Sequence, residues 1–469
     1  MQRYSQLVPL VGVGFFVGLT GCENLQFRSP IDRTEVSAPA MWQSAGEGRG
    51  RKISSGWLSD FGSRDLRQAV EAAMARNQDL AAAEARMRAA EYVRIAGRSR
   101  VKPRAQLGTS GSFSISENGT AATTESESYN LTVSAAWEVD LWGRLRDLNL
   151  ADDADLAAVR ATYRGARLSL AAATARAWIN LIAAEQQLEL AKVTLDSFER
   201  NLRISERNYK GTGQGALDVQ FGRTNVAAAK RAVASTRLVR DEAARTLETL
   251  TGSYPSGRTR AGSDLPKLSR EVPSGIPADL LERRPDLAVA RADVYASARR
   301  ADAARKSLLP SLALTGSGGT PTSRFSDFLN PDWLVASIAA SLAQNLYSGG
   351  ELTAEARAAL ERNQAAVHDY RQVALEAFRE VESALAAEVS LAEQELYLRR
   401  EVEQAALAEE QSTRDYADGI EGSDILDVLE AQRRANNARS SLIRLRSDRL
   451  RNRIDLHLAL GGDFSTAES

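Results

Sequence analysis

The sequence contains two copies of one large unit. Adding 207 to a position in the first half repeatedly gives the same residue type in the second half. A two-residue insertion then changes the offset to 209, and Leu217-Asp218-Val219 corresponds to Leu426-Asp427-Val428. Matched pairs at offset 207 include Asp79 with Asp286, Pro103 with Pro310, Ser134 with Ser341, Gly143 with Gly350 and Tyr209 with Tyr416. A tandem duplication on this scale predicts a fold that uses one unit twice, in the order helix, strand, strand, very long helix, turn, long helix.

The longest predicted elements are helices. Proline is absent between Arg104 and Tyr254, and the Ala-, Leu-, Arg- and Glu-rich composition is typical of long helices. A helix over residues 144–208 would extend for about 100 Å. Leu181, Leu188, Leu195, Leu202 and Tyr209 recur every seven residues, and the pattern resumes at Val219, Gly222 and Val226, with a copy at Val428 and Ala435. This spacing predicts coiled-coil seams. A plain coiled-coil rod or four-helix bundle would explain the helices alone.

Four short segments change to a period of two. In residues 129–139 the odd positions are apolar or aromatic, and most of the even positions are polar. The same alternation covers residues 106–116 and 334–342 and is weaker over 311–317, while a polar hairpin tip is expected over 117–128 with a turn at Asn118-Gly119. Each shorter helix, over 63–98 and 277–308, precedes one pair of strands, and Pro285 could begin a new helix within the second.

Strands of this length cross a bilayer when tilted. An open sheet cannot survive in hydrocarbon, and the smallest single-chain barrels have about eight strands, so several chains must pool their four strands. Three chains would give twelve strands, whereas two would give a barrel too narrow for a tunnel of long helices. The alternative is a soluble antiparallel sheet packed on a helix, but the strands lack the bulky residues of a soluble core.

The N-terminus carries an export signal. An apolar run of about 12 residues, too short to span a bilayer, ends in Leu19-Thr20-Gly21-Cys22, which contains the only cysteine of the chain. The sequence is similar to a bacterial lipobox, which implies that Cys22 is lipidated. The alternative is an ordinary cleavage site with a chance cysteine. Glu23, in place of the aspartate that commonly retains lipoproteins at the inner membrane, favours the outer membrane.

Charge and chemistry exclude several classes of function. The 60 basic and 61 acidic residues give a net charge of −1, so nucleic-acid binding is not expected. His368 and His457 are isolated, no phosphate-binding loop lies between a strand and a helix, and no catalytic or metal constellation is present in the sequence. We therefore expect neither an enzyme nor a cofactor apart from the N-terminal lipid on Cys22.

Specific motifs point to a family. The run Leu-Leu-Glu-Arg-Arg-Pro-Asp-Leu at 280–287, the run beginning Leu-Pro-Ser-Leu at 309–312 and Phe-Arg-Glu-Val-Glu at 378–382 resemble the lipoprotein branch of the TolC-like outer-membrane factors (NodT/OprM type). The resemblance covers the mature chain from end to end. It implies a mainly α fold with β structure, in which a trimeric 12-stranded transmembrane β-barrel continues into a 12-helix periplasmic α-barrel.

The resemblance also implies a function and partners. Such proteins are passive exit ducts in the outer membrane, and their partners are a periplasmic adaptor (membrane fusion) protein and an inner-membrane transporter, often of the resistance–nodulation–division type. The alternatives are a duct for type I protein secretion and a non-conducting structural lipoprotein. We divide the chain into a signal peptide (1–21), a lipidated tether (22–62), a first repeat (63–252), an equatorial connector (253–276), a second repeat (277–460) and a tail (461–469).

The turns between the long helices are expected at 211–216 and 418–424, and by resemblance they form the periplasmic mouth. The residues that match the gate positions of the family are Tyr416, Gly419, Leu426, Asp427 and Glu430, and Asp218 is the first-copy equivalent of Asp427. Asp427 and Glu430 share a helical face, so a trimer would present two rings of three carboxylates that favour cations. The alternative is that they are solvated acids at a helix end.

Overall fold

A computed structural model describes residues 36, 38–44, 56–118, 122–212, 215–262, 264–268, 275, 277–418, 420, 422 and 424–464. The predicted signal peptide (1–21), Cys22, Gly119 and Gly419 lie outside these residues. The helices are α1 (Arg64–Arg76), α2 (Gln78–Arg98), α3 (Arg144–Thr212), α4 (Ala216–Leu250), α5 (Pro277–Arg283), α6 (Pro285–Lys306), α7 (Glu351–Asp418) and α8 (Ile425–Ala459). The strands are β1 (Arg104–Asn118), β2 (Ala122–Val139), β3 (Ser311–Gly319) and β4 (Val335–Ala343).

The predicted long helices are present. Helices α3 and α7 have 69 and 68 residues, so each extends for about 100 Å. Among the described residues, none of the helices has an apolar stretch that is long enough to cross a membrane.

The predicted seam between α3 and α4 is confirmed. Leu181 and Leu188 are buried, as are Val219 and Val226 of α4. A Cβ atom on Gly222 would lie 2.9 Å from Leu202 Cδ1, so the absence of a side chain lets the two helices approach closely. Tyr209 is 44% exposed, which corrects the prediction at this end: the seam opens before it reaches the turn.

The first short helix is divided, contrary to the single helix predicted over 63–98. Asn77 has extended backbone angles and separates α1 from α2. Its side chain accepts a hydrogen bond from Leu80 N (3.0 Å) and donates one to Leu250 O (3.1 Å), so it caps two helix ends at once. In the second copy, α6 begins at Pro285 as predicted.

The strands form one antiparallel sheet in the order β1-β2-β3-β4. None of its residues with a described side chain is buried in the single chain, most are exposed, and Ile338 is 92% exposed. The polar tip predicted over 117–128 is shorter than predicted, because β1 continues to Asn118, β2 begins at Ala122 and the two strands pair there. Backbone pairing does not depend on polarity, so serines and glutamates continue the ladder where we expected a loop.

Two hydrophobic clusters lie where the short helices meet the long ones. The first cluster joins α1, α3, α4 and α8 and includes Trp57 and Phe61 from the segment before α1. The second joins α6, α7 and α8 and includes Trp42. The N-terminal segment therefore belongs to both cores and is not a loose tether at these positions.

The turns between the long helices are short. Helix α3 continues through Gly211 and Thr212, so the first turn is shorter than the predicted 211–216. In the second copy, α7 ends at Asp418 and α8 begins at Ile425, close to the predicted turn.

Candidate functional site

The helices form one layer whose order follows the sheet. Helix α3 packs against α2 and α4 on one side and against α6 and α8 on the other, and α7 packs against α6 and α8. The layer therefore has the order α2/α4, α3, α6/α8, α7, in register with β1, β2, β3 and β4. We call the helical layer together with the sheet the wall. Among the described residues, α2, α4 and β1 form one edge of the wall, and α7 and β4 form the other.

Large apolar side chains are exposed at the edges of the wall. They are Tyr92, Val93 and Ile95 on α2, Leu217, Phe221, Leu238 and Val239 on α4, and Leu375, Val389, Leu396, Tyr397 and Leu407 on α7. Leu238 lies nine residues from both Ala229 and Leu247, which are buried, and therefore on the opposite side of α4. Exposed apolar surface of this extent indicates an interface.

A polar seam joins the two repeats within the wall. Gln187 Nε2 of α3 donates to Ser440 O of α8 at 2.8 Å. Further along the same two helices, Thr194 Oγ1 donates to Asn436 Oδ1 at 3.1 Å. Gln432 Nε2 donates to Ser197 Oγ at 3.1 Å. Beyond the first hydrophobic cluster, amide and hydroxyl contacts thus continue the connection of α3 to α8.

The second turn carries four of the predicted gate residues. Asp424, which the prediction did not single out, caps α8 by accepting hydrogen bonds from Leu426 N (2.6 Å) and Asp427 N (3.0 Å). Leu426 and Asp427 are exposed in the first turn of α8, and Tyr416 is half-buried near the end of α7. The helix N-terminus stabilises the carboxylate of Asp427.

Glu430 is already ion-paired within its own helix. Its carboxylate accepts hydrogen bonds from Arg433 Nε (2.8 Å) and from Arg434 Nε (2.7 Å). These bonds, first from Arg433 and then from Arg434, lower the pKa of Glu430 to about 2. The spacings i,i+3 and i,i+4 could have revealed both pairs from the sequence. A ring of three copies would thus hold two arginines beside each Glu430, so Asp427 is the less compensated of the two predicted acids.

The first turn has the opposite charge balance. Residues 203–225 contain four basic and two acidic residues, whereas the equivalent residues 410–434 contain three basic and seven acidic residues. Asp218 is half-buried and folds back towards Gly215, which has a φ of 88°. The two turns are therefore electrostatically different although they arise from one duplicated unit.

The Arg-Arg-Pro-Asp motif forms a buried joint. Arg284 donates to Asp286 Oδ2 (2.7 Å), to Glu380 Oε2 (2.7 Å) of α7 and to Ala459 O (3.2 Å) at the end of α8. Hydrogen bonds and charge from Asp286 and Glu380 raise the pKa of Arg284 despite the opposing effect of its burial. The motif thus fastens α6 to α7 and α8.

One face of the wall is covered by other parts of the chain. Trp42 packs edge-to-face on Phe378 at 6.1 Å, and Gln43 N and Ser44 N donate to Glu382 at 2.7 and 2.8 Å. Trp57 stacks on His457, whose Nε2 lies 3.1 Å from Asp60 Oδ2. His457 is buried and His368 is exposed. Among the described residues, no group of three potential metal ligands is found.

Comparisons with known proteins agree with this architecture. The family model described as outer membrane efflux protein matches residues 69–253 and 276–462, which correspond to the two repeats. The chain is 30% identical over 449 residues to the pyoverdine export outer membrane protein OpmQ of Pseudomonas aeruginosa, which covers 93% of this chain and 94% of the relative. It is 26% identical to the cation efflux system protein CusC of Escherichia coli, over 87% of this chain and 89% of the relative.

A solved structure of the outer-membrane channel OprN has the same fold. It superposes with a TM-score of 0.83 at 26% identity, over 92% of this chain and 98% of that chain. The predicted fold class, a mainly α fold with β structure that is internally duplicated, is confirmed.

Proposed function

Because the chain belongs to the outer membrane efflux protein family and is an efflux channel of the outer membrane, we propose that three copies close edge to edge into one tube. The tube has a twelve-stranded barrel in the outer membrane and a wall of twelve helical columns in the periplasm. Small molecules leave the cell through it passively.

The observation that carries this proposal is the pair of unmatched edges. The edge of α2, α4 and β1 differs from the edge of α7 and β4, so identical copies join head to tail and a ring closes the contact. Strand β4 is antiparallel to β1, because the sheet alternates in direction, and copies can therefore continue the same ladder. Twelve strands leave an interior that matches a wall of long helices better than eight do.

The partners are a periplasmic adaptor protein and an inner-membrane transporter, of the resistance–nodulation–division type. The relatives OpmQ and CusC are named for the export of pyoverdine and of cations, both of them small solutes. This supports small-molecule efflux over type I protein secretion. A structural lipoprotein that conducts nothing has no use for a ring with an open interior.

The lipid on Cys22 is an auxiliary anchor in this proposal. The barrel buries far more apolar area in the membrane than acyl chains do. Cys22→Ser, exported through a conventional signal peptide, should therefore still form the ring and fractionate with the outer membrane. Recovery of this variant as a soluble periplasmic protein would contradict the proposal.

The ring and its conductance are tested together with a matched pair of variants. Leu238→Asp places a charge on α4 at the edge of the wall, where the exposed fraction of the side chain is 65%. The matched control Val193→Asp places a charge on α3, which lies between the two edges, where the exposed fraction is 51%. Light scattering in detergent should give the mass of three chains for the wild type and for Val193→Asp, and both should form channels in planar bilayers. Leu238→Asp should lose both properties. A wild-type mass of one or two chains would overturn the proposal.

A further inference from the structure

The face of the wall opposite the N-terminal segment contains an unfilled groove. The groove lies between α3 and α7 with α6 as its floor, and its volume is about 480 Å³. Its lining is largely apolar and includes Ala161 and Gly165 of α3, Val289 and Ala290 of α6, and Ala366 and Val373 of α7. This size falls within the range of roughly 300–1,000 Å³ that is typical of small-molecule sites.

Gly165 helps to keep this groove open. It is the only glycine between positions 144 and 208, and a glycine inside a helix costs about 1 kcal/mol relative to alanine. A Cβ atom at this position would lie 3.4 Å from Pro285 Cβ, at the lower limit of ordinary contact. A larger side chain would fill the space above the start of α6. The glycine is therefore explained by the space that it leaves.

The groove faces the interior of the proposed ring. Asp369 and Val373 lie nine residues before Phe378 and Glu382, which hold the N-terminal segment, and therefore on the opposite side of α7. Twelve helical columns spaced 8–10 Å apart enclose a space roughly 25 Å wide. If the N-terminal segments of three chains lay inside the ring, they would fill this space. The face that they cover is therefore the outer face of the ring. The groove then opens into the tunnel.

Two of the three carboxylates that line the groove form no ion pair among the described residues. Asp286 also lines it, but Arg284 neutralises that residue. Among the described residues, Asp293 and Asp369 form no ion pair. Burial and then the charge of Asp155 raise the pKa of Asp293, while Arg300 opposes this effect but forms its own ion pair with Asp155. Both side chains are exposed in the single chain, so a passing cation can approach either carboxylate directly and is attracted by its charge.

We propose that this groove binds organic cations with an apolar body as they pass through the tunnel. The apolar floor receives the body, and Asp293 and Asp369 attract the positive charge. This inference rests on the proposed function, because the groove faces a tunnel only in the closed ring. It assigns the chemical class of cargo for which the wall provides a resting place.

The test uses two ions of nearly the same shape and opposite charge. Tetraphenylphosphonium and tetraphenylborate are dialysed to equilibrium against the full-length protein in detergent, and binding is compared among variants in the same detergent so that partition into micelles cancels. Tetraphenylphosphonium should bind with about fivefold weaker affinity to Asp293→Asn or Asp369→Asn and more than tenfold weaker to the double variant. Asp369→Lys should reduce the binding of the cation further and increase that of the anion.

The control is Glu71→Gln, which removes an exposed carboxylate from α1 outside the groove and should bind as the wild type does. Equal binding of tetraphenylphosphonium to the wild type and the double variant would overturn the inference. Bilayer conductance of the same preparations separates the two levels. If all preparations conduct but bind tetraphenylphosphonium equally, only the cation groove is contradicted. If the wild type forms no rings or does not conduct, the proposed function is contradicted.

Discussion

The two repeats end in the same backbone joint but use it to hold different neighbours. In the first repeat Ser253 N donates to Glu248 O (2.8 Å), and in the second Gly462 N donates to His457 O (2.9 Å), which is the same pair of positions at offset 209. Gly252 and Gly461, also equivalent, have φ values of 68° and 66°. The duplicated unit therefore brings its own helix ending with it.

The side chains at this joint differ. Glu248 accepts hydrogen bonds from Gly257 N, Arg258 N and Thr259 N, and so anchors the start of the connector. His457, at the equivalent position, instead stacks on Trp57 of the N-terminal segment. Backbone geometry thus survives duplication, while each copy has acquired a side chain suited to the segment that reaches it.

A second pair of equivalent positions shows the same principle with charge. Asn77 and Arg284 precede α2 and α6, and each donates to the last carbonyl groups of a long helix, Leu250 O at 3.1 Å and Ala459 O at 3.2 Å. Arg284 also binds Glu380 of α7, a contact without a charged counterpart at Asn77. At this joint the second repeat is therefore fastened by ion pairs and the first by neutral hydrogen bonds.

The largest difference between the repeats is expected in the stability lost when Arg284 or Asn77 is replaced by alanine. Arg284→Ala leaves Asp286, Glu380 and a buried carbonyl without their partner and should destabilise the protein by about 3 kcal/mol. Asn77→Ala loses a cap and one hydrogen bond and should cost about 1 kcal/mol. Thermal unfolding of both variants measures the contrast. Equal losses would show that charge does not distinguish the two joints.

The helix endings can be separated by hydrogen exchange. Glu248→Ala should raise the exchange of the amides at 257–259 by about tenfold or more, because they lose their acceptor, and should leave Trp57 unaffected. His457→Ala should loosen the residues around Trp57 and leave 257–259 unchanged. Glu242→Ala, on an exposed side of the same helix, is the control. Loosening of both segments in either variant would contradict the division of roles.

The ion pairs of the second repeat predict a defined acid sensitivity. Although burial alone raises it, hydrogen bonds from Arg399 and Arg449 hold the pKa of Glu395 at about 2, below its ordinary value of 4.5. Since the folded pKa is the lower one, its stabilisation is complete above about pH 5 and is lost as the pH falls from 4.5 towards 2. Glu395→Gln should be less stable than the wild type by about 2 kcal/mol at neutral pH, after allowance for solvent screening. The difference should shrink in acid, and a constant difference between pH 7 and 3 would refute this account.

The smallest expected contrast concerns the two turns at the mouth. If the second helix pair lines the constriction, Asp427→Asn should lower cation selectivity in bilayer recordings by roughly a factor of two, and the equivalent change Asp218→Asn should have less effect. Glu430→Gln releases Arg433 and Arg434 from their ion pairs and should shift selectivity towards anions. Identical currents in all three variants would place the constriction elsewhere, with Leu426 as the next candidate.

Much of this architecture could be predicted from the sequence, because it depends on periodicity. The seven-residue spacing through Leu181 and Leu188 and the alternation over 129–139 each report a regular element with one buried or lipid-facing side. The break at Asn77 does not appear in the periodicity, because the apolar spacing continues across it and the bond of Asn77 to Leu250 O joins residues far apart in the sequence. The groove and the packing of Trp42 also depend on distant contacts that no local pattern records.

The duplication itself supplies the most direct test of the ring. Within the chain Ser134 of β2 pairs with Ser317 of β3. The duplication equates Ser134 with Ser341 of β4, 207 residues later, and Ser317 with Ser110 of β1, 207 residues earlier. Pairing of Ser341 with Ser110 is therefore the register expected between one copy and the next. Both serines are exposed in the single chain. If the free sheet edges repeat the internal junction, these two residues are direct neighbours across copies.

The decisive measurement is disulfide cross-linking of Ser110→Cys with Ser341→Cys in the full-length protein in outer membranes. The account predicts covalent dimers and trimers on a non-reducing gel that revert to single chains on reduction. Ser114→Cys with Ser341→Cys, on the same face but four residues out of register, should cross-link far less. A folded, membrane-inserted variant with cysteines at 110 and 341 that forms no cross-link would contradict the closed ring of three chains. Equal cross-linking of the variant with cysteines at 114 and 341 would contradict it as well.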